Sequence, residues 1–167
     1  MHWVISHLDW AECTGWFQYC STIINSFVSN KVDLILANAT PALQAAQAGT
    51  NEIPVLGTAV TEYGVALGID GFDGLVGGNI SGTSDLAPLD EQAAMLQELF
   101  PDAKNVGLLY CSAEANSQYQ VDNSKSWNLK NSDIHVNIMQ FSDSNDLSSV
   151  ATTATDASDV IWYYRTE

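Results

Sequence analysis

The stretch VDLILANATPALQAAQAG, Val32 to Gly49, decides how the chain is read. VDLILA (32–37) is a short apolar run, the pattern of a strand buried on both faces of a parallel sheet. TPALQAAQAG (40–49) suits a helix, with Thr40 or Asn38 as cap, Pro41 in the first turn and Gly49 as stop. A strand that ends on a short polar turn and passes straight into a helix is half of a βαβ unit. The turn NATP either connects the two elements and no more, or presents a helix N-terminus to a ligand.

Outward from this stretch the alternation continues. IPVLGTAV (53–60) reads as a second buried strand. EYGVALGIDGFDGLVGGNISGTSD (62–85) is rich in Gly and weakly periodic, as a loop holding a short helix and a short strand would be. Pro88, Asp90 and Glu91 favour a helix start, Leu89, Ala93, Leu96 and Leu99 or Phe100 recur at helical spacing, and Pro101 ends the helix. Asp85 and Asp90 flank this start as candidate caps. NVGLLYC (105–111), IHVNIMQFS (134–142) and DVIWYY (159–164) read as strands. SAEANSQYQVDNSKSWNLKN (112–131) and SNDLSSVATTATDA (144–157) read as helices. At the front, CSTIINSFVSN is a helix with Ile23, Ile24, Phe27 and Val28 on one face, and WVISHL (3–8) is a candidate strand. The alternation implies an α/β fold built on parallel sheet. The Gly-rich change of character at 64–85 marks a crossing between two lobes, a first over 1–85 and a second over 86–167.

Twenty acidic residues against five Lys and Arg give a formal charge of -15. Such a surface repels nucleic acid and anionic lipid, so neither is expected as a partner. No apolar run is long enough to span a membrane. The opening MHWVISHLDW lacks a basic n-region and a long apolar h-region, so no signal peptide is expected in it. Cys13, Cys20 and Cys111 are an odd set with no CxxC, which predicts neither a disulfide framework nor a zinc site. His2, His7 and His135 are scattered, and no metal or other cofactor is expected. The five Trp residues (3, 10, 16, 127 and 162) are expected in core packing or partial exposure.

In parallel α/β sheets, ligands bind beyond the carboxyl ends of the strands. Here those ends are NATP (38–41), TAVTEYG (58–64) and CSAEANS (111–117). All are small and polar. None contains GxSxG, GxxxxGK[ST] or GxGxxG, so no catalytic motif is present and no enzymatic activity is expected. The helix opening at Thr40 offers backbone N–H groups and a partial positive charge to a carboxylate. Glu114 and Asn116 suit an ammonium or an amide, or serve as first-turn polar residues.

VDLILANATPALQAA, IPVLGTAVTE, ISGTSDLAPLDEQ, FPDAKNVGLLYCSAEANS and the FSDSNDL stretch, in this order, resemble the substrate-binding proteins of ABC transporters. The group often described as binding tryptophan, tyrosine or other aromatic amino acids is the nearest in pattern. The resemblance covers residue 25 to about 162; each motif is weak alone, and five in order are fairly specific. It implies type I periplasmic-binding-protein lobes, each a parallel sheet with helices on both faces, with a small-molecule ligand such as an amino acid in an interlobe cleft. It implies a membrane permease as partner and an extracytoplasmic location, periplasmic or lipid-anchored. The site residues it points to are Thr40, Pro41 and Ala42 with Glu114, Ala115 and Asn116, then Thr58, Thr83, Ser84 and Asp85. The chain departs from the family at both ends. MHWVISHLDWAECTGWFQYC matches poorly where a first strand and helix are expected, and the chain stops at WYYRTE, where members continue. The alternatives are a small flavodoxin-like enzyme or sensory domain, and a fragment of a binding protein that does not bind.

Overall fold

The structure, a computed structural model, describes residues 7–13, 17–131 and 133–164, and side chains at all of these except 17 and 125–131. The chain forms two compact units, Met1–Ser84 and Asp85–Glu167.

The first unit holds α1 (Phe17–Ser29), β1 (Ile35–Asn38), α2 (Thr40–Gly49), β2 (Val55–Val60), α3 (Tyr63–Leu67) and β3 (Ile80–Ser84). The three strands form a parallel sheet in the order β1-β2-β3. Ile35 pairs with Val55 and Val55 with Ile80, while Ala37 pairs with Gly57 and Gly57 with Gly82. These rows point at the helices. Ile35, Ala37 and Val55 are buried with Leu43, Ala45 and Ala46 of α2 and Cys20 and Ile24 of α1. Leu43 is fully buried, which stabilises the unit by about 1.5–3 kcal/mol relative to exposure. The small side chains of α2 let α1 lie close. A Cβ on Gly49 would stand 2.4 Å from Ile24 Cγ2, so Gly49 is required for that approach besides ending the helix.

The other face of this sheet is open. Leu34, Leu36 and Leu56 are 50%, 68% and 41% exposed. VDLILA and IPVLGTAV therefore form strands covered on one face, not both. Apolar runs alone do not reveal this, because an uncovered leucine reads like a buried one.

The second unit holds α4 (Leu89–Leu99), β4 (Asn105–Cys111), α5 (Ala115–Asn131), β5 (His135–Phe141), α6 (Ser144–Ala157) and β6 (Val160–Tyr163). Its sheet is parallel in the order β5-β4-β6. The central strand β4 is covered on both faces. Val106, Leu108 and Tyr110 pack with Leu89 of α4, Val121 of α5 and Tyr164. Leu109 and Cys111 pack with Phe141 and, on α6, Leu147, Val150 and Ala151.

Several local expectations change. Cys13 and Cys20 form a disulfide, where an odd cysteine count predicted none; Cys111 remains a buried thiol. Helix α4 has Pro88 at its N-cap with no side-chain cap bond, so neither Asp85 nor Asp90 caps it; Asp90 and Glu91 lie in its first turn. Trp10 is 79% exposed, while Trp162 is half-buried and stacked on Tyr164 with ring centroids 5.6 Å apart. Trp3, Trp16 and the side chain of Trp127 lie outside the described residues. So does most of WVISHL; His7 and Leu8 carry no regular structure. Among the described residues no helix is long and apolar enough to cross a membrane.

Candidate functional site

In the first unit, the polar turns at the carboxyl ends of β1 and β2 are joined. The Ala39 N–H donates to the Thr58 carbonyl at 2.9 Å. This brings Thr40, Pro41 and Ala42 beside Thr58. Thr40 is buried, while Pro41, Ala42 and Thr58 are half-buried.

The residue at the N-cap of α2 is Ala39, not Thr40 or Asn38, and no side chain caps the helix. Ala39 has φ 81 and ψ 158, a region that glycine occupies and side-chain-bearing residues avoid. Ala59, at the end of β2, has φ 53, next to a register shift between Gly57 and Val60. Two alanines thus hold strained backbone at neighbouring strand ends. Leu43 N–H bonds the Ala39 carbonyl, and Pro41 has no N–H, so Ala42 N–H has no acceptor within the helix.

Helix α4 likewise lacks a side-chain cap, with Pro88 at its N-cap, but α3 and α6 contrast with α2. Glu62 caps α3, its carboxylate accepting from Gly64 N–H at 3.0 Å and Val65 N–H at 2.7 Å. Asp143 caps α6, accepting from Asn145 N–H at 2.7 Å. At both, the chain's own carboxylate occupies the position an anionic ligand would take.

Tyr63, just after Glu62, is buried and donates its hydroxyl to the Thr83 carbonyl at 3.3 Å. It lies over Gly57 and Gly82, where a Cβ would stand 2.4 Å and 2.0 Å from its hydroxyl. Ser84 is exposed as a residue, yet its hydroxyl donates to the Thr61 carbonyl at 2.6 Å. Thr83 and Ser84 thereby tie β3 to the residues after β2. Asp85 is exposed and begins the second unit. Sequence reading missed Ala39, Ala59, Glu62 and Tyr63. A five-residue helix shows no periodicity, and alanine gives no sign of positive φ; the acidic residue before Tyr-Gly was the one available signal.

In the second unit the turn after β4 is fixed by its neighbour strand. Ser112 N–H donates to the Phe141 carbonyl at 2.9 Å, and Glu114 N–H to the Cys111 carbonyl at 3.2 Å. Glu114 then accepts from Gln118 N–H at 3.2 Å through its own carbonyl, opening α5. Glu114 is half-buried, Ala115 exposed and Asn116 buried. The Tyr110 hydroxyl lies 2.8 Å from Gln118 Oε1 and 3.0 Å from Gln140 Oε1, pinning the first turns of α5 to β4 and β5. A hydroxyl donates once. Gln118 also donates its amide to Asp122 at 3.0 Å, so Gln118 accepts from Tyr110 and the Gln140 amide turns to donate.

Two groups carry shifted acidities. Backbone N–H bonds from Lys104 and Asn105 hold the Asp159 carboxyl below its ordinary value. Asp159 precedes β6 and bonds the start of β4, so it sits at the amino ends of these strands, opposite the candidate turns. Burial raises Tyr164 above its ordinary value, against a hydrogen bond with Ser124. Both are structural. Among the described residues no group of three or more His, Cys, Asp and Glu side chains converges to hold a metal.

A family model for the ABC transporter substrate binding protein matches residues 5–166. The chain belongs to that family. It is 42% identical over 110 residues to the tyrosine-binding protein of Clostridioides difficile, covering 66% of this chain and 32% of that one. Among solved structures, it is similar to an ABC domain in complex with L-Trp from Streptococcus pneumonia, at TM-score 0.79 and 31% identity over 89% of this chain and 51% of the other. It is also similar to the ligand-free, open structure of a substrate-binding protein with adhesive properties from Clostridium difficile. That match has TM-score 0.60 and 35% identity over 88% of this chain and 49% of the other. The chain therefore spans about a third of its curated relative and about half of the solved chains. Its fold is that of type I periplasmic binding proteins, and the family and these relatives are binding proteins.

Proposed function

We propose that the chain supplies ligand-binding surface to the solute receptor of an ABC uptake system, and that its solute is an amino acid with an aromatic side chain. The observation that carries this is the start of α2. It opens on strained, uncapped backbone at Ala39, while α3 and α6 are closed by Glu62 and Asp143. A ligand carboxylate takes the position left at α2, accepting from backbone N–H groups around Ala42 with help from the helix dipole. Thr40, Pro41, Ala42 and Thr58 form this wall, with Thr83, Ser84 and Asp85 at its border. In the second unit, the polar turn of Glu114, Ala115 and Asn116 is the other candidate contact, and a carboxylate such as that of Glu114 suits a ligand ammonium.

The aromatic assignment is drawn from the relatives, one a tyrosine-binding protein and one solved with L-Trp. Membership of the family supports a membrane permease as partner and an extracytoplasmic location. The test is thermal unfolding of the purified chain against single amino acids, tyrosine and tryptophan first. A ligand at about 100 times its dissociation constant adds roughly 2.7 kcal/mol and raises the midpoint by several degrees. A cooperative transition that no amino acid moves would refute binding by this chain and leave the non-binding fragment reading.

A further inference from the structure

Residues 7–12 are exposed along their whole length and carry no helix or strand; Leu8 and Trp10 are 76% and 79% exposed. Apolar burial does not hold them in place. Among the described residues of this stretch, Cys13 is the first drawn inward, half-buried against the core of the first unit. Cys20, on α1, is 2% exposed within that core. Their Cα atoms are 5.0 Å apart, a span suited to the bond they make.

We infer that the Cys13–Cys20 disulfide is the staple that fixes residues 7–13 to the first unit, a bond in keeping with the extracytoplasmic location proposed above. Structural disulfides persist outside the cytoplasm and are rare within it. The bond forms by thiol–disulfide exchange with an external disulfide, from a dithiol oxidoreductase or an oxidised small thiol. Cys13 is the more accessible thiol, and its thiolate attacks the donor to give a mixed disulfide. The Cys20 thiolate then displaces the donor's second sulfur. Two thiol protons and two electrons pass to the donor, which departs as its dithiol or, for an oxidised small thiol, as two thiols. Cys111 takes no part: it is buried in the second unit against Phe141 and α6.

The test uses the whole chain purified without reductant. It is denatured, alkylated with and without prior reduction, and mapped by mass spectrometry. One labelled cysteine, Cys111, is expected without reductant and all three with it, together with a linked Cys13–Cys20 peptide pair. The closed loop spans a sequence separation of 7, so reduction should lower the midpoint of the first unit by roughly 10 °C. Cys13→Ser should melt at the reduced midpoint and ignore reductant, while Cys111→Ser should keep the full response. Three labels without reductant would overturn the inference. So would a disulfide-linked dimer on non-reducing electrophoresis, or a linked pair whose reduction leaves the midpoint unmoved. None of these readouts depends on a ligand, so they stand apart from the test of binding.

Discussion

Replacing Ala39 by Gly should stabilise the chain, against the usual direction. Ala39 sits at φ 81 and ψ 158, where a residue with a Cβ bears about 1–3 kcal/mol of strain. Glycine relieves that strain at a cost of roughly 0.5–1 kcal/mol in unfolded-chain entropy. The net gain is up to about 2.5 kcal/mol, or several degrees for a unit of this size. Ala37, two residues earlier, is the control. It is 2% exposed inside β1, where Ala37→Gly loses a buried methyl and gains chain entropy, so it should destabilise. The assay is denaturant unfolding of the three proteins followed by circular dichroism, comparing midpoints at equal slopes. If Ala39→Gly falls below the parent as Ala37→Gly does, the backbone at Ala39 is not strained and the argument for a preorganised turn fails. Under the proposed function the same change should weaken amino-acid binding, because a relaxed turn must be ordered again by the ligand.

Gly82→Ala should cost about 3 kcal/mol or more, the upper end of overpacking, because its Cβ would stand 2.3 Å from the Gly57 carbonyl oxygen as well as against Tyr63. Tyr63→Phe should not rescue it, since the backbone clash remains; a full rescue in a double-variant unfolding cycle would refute the close packing of β2 on β3. Asp159 has a folded acidity shifted downward, so its bonds stabilise the fold above the unfolded value near about 3.9, and that contribution is lost as pH falls through the lower folded value. Asp159→Asn should therefore be less stable than the parent at neutral pH, and the two curves of stability against pH should converge in acid; parallel curves would refute the assignment.

The order of elements was legible from Val32 onward because strand and helix periods differ and Pro, Gly and Asn punctuate them. Gly49 and Pro101 end helices where they were expected to. The carboxyl-end turns were legible too, as small polar breaks after apolar runs. What was not legible depends on contacts across the sheet. Whether Leu36 is covered depends on what packs against it, and the sequence of β1 is the same either way. Gly82 looks like any glycine of the 64–85 segment until Tyr63 is placed over it. The cap of α2 was misassigned by one residue because Asn38 and Thr40 are both good caps, while Ala39, a poor one, takes the position. The disulfide was missed because counting cysteines says nothing of which pair a helix brings within reach.

The acidic charge of the chain bears on what the uncapped start of α2 can receive. At -15, the molecule repels a free anion before any contact is made. A zwitterionic amino acid carries no net charge and meets no such long-range barrier. Its carboxylate then needs a position free of the protein's own acids, and its ammonium needs one beside them. In the first unit Glu62 caps α3 while α2 has an alanine cap, and under the proposed function that uncapped start takes the carboxylate. Under the same proposal Glu114, before α5 in the second unit, is a candidate for the ammonium. On this reasoning, acidic ligands such as free dicarboxylates should bind more weakly than neutral amino acids of the same size. Added salt should narrow the difference, because screening removes the long-range repulsion and leaves the short-range contacts. A dicarboxylate that matches tyrosine or tryptophan at low salt would show that the field of the acidic surface does not reach the site.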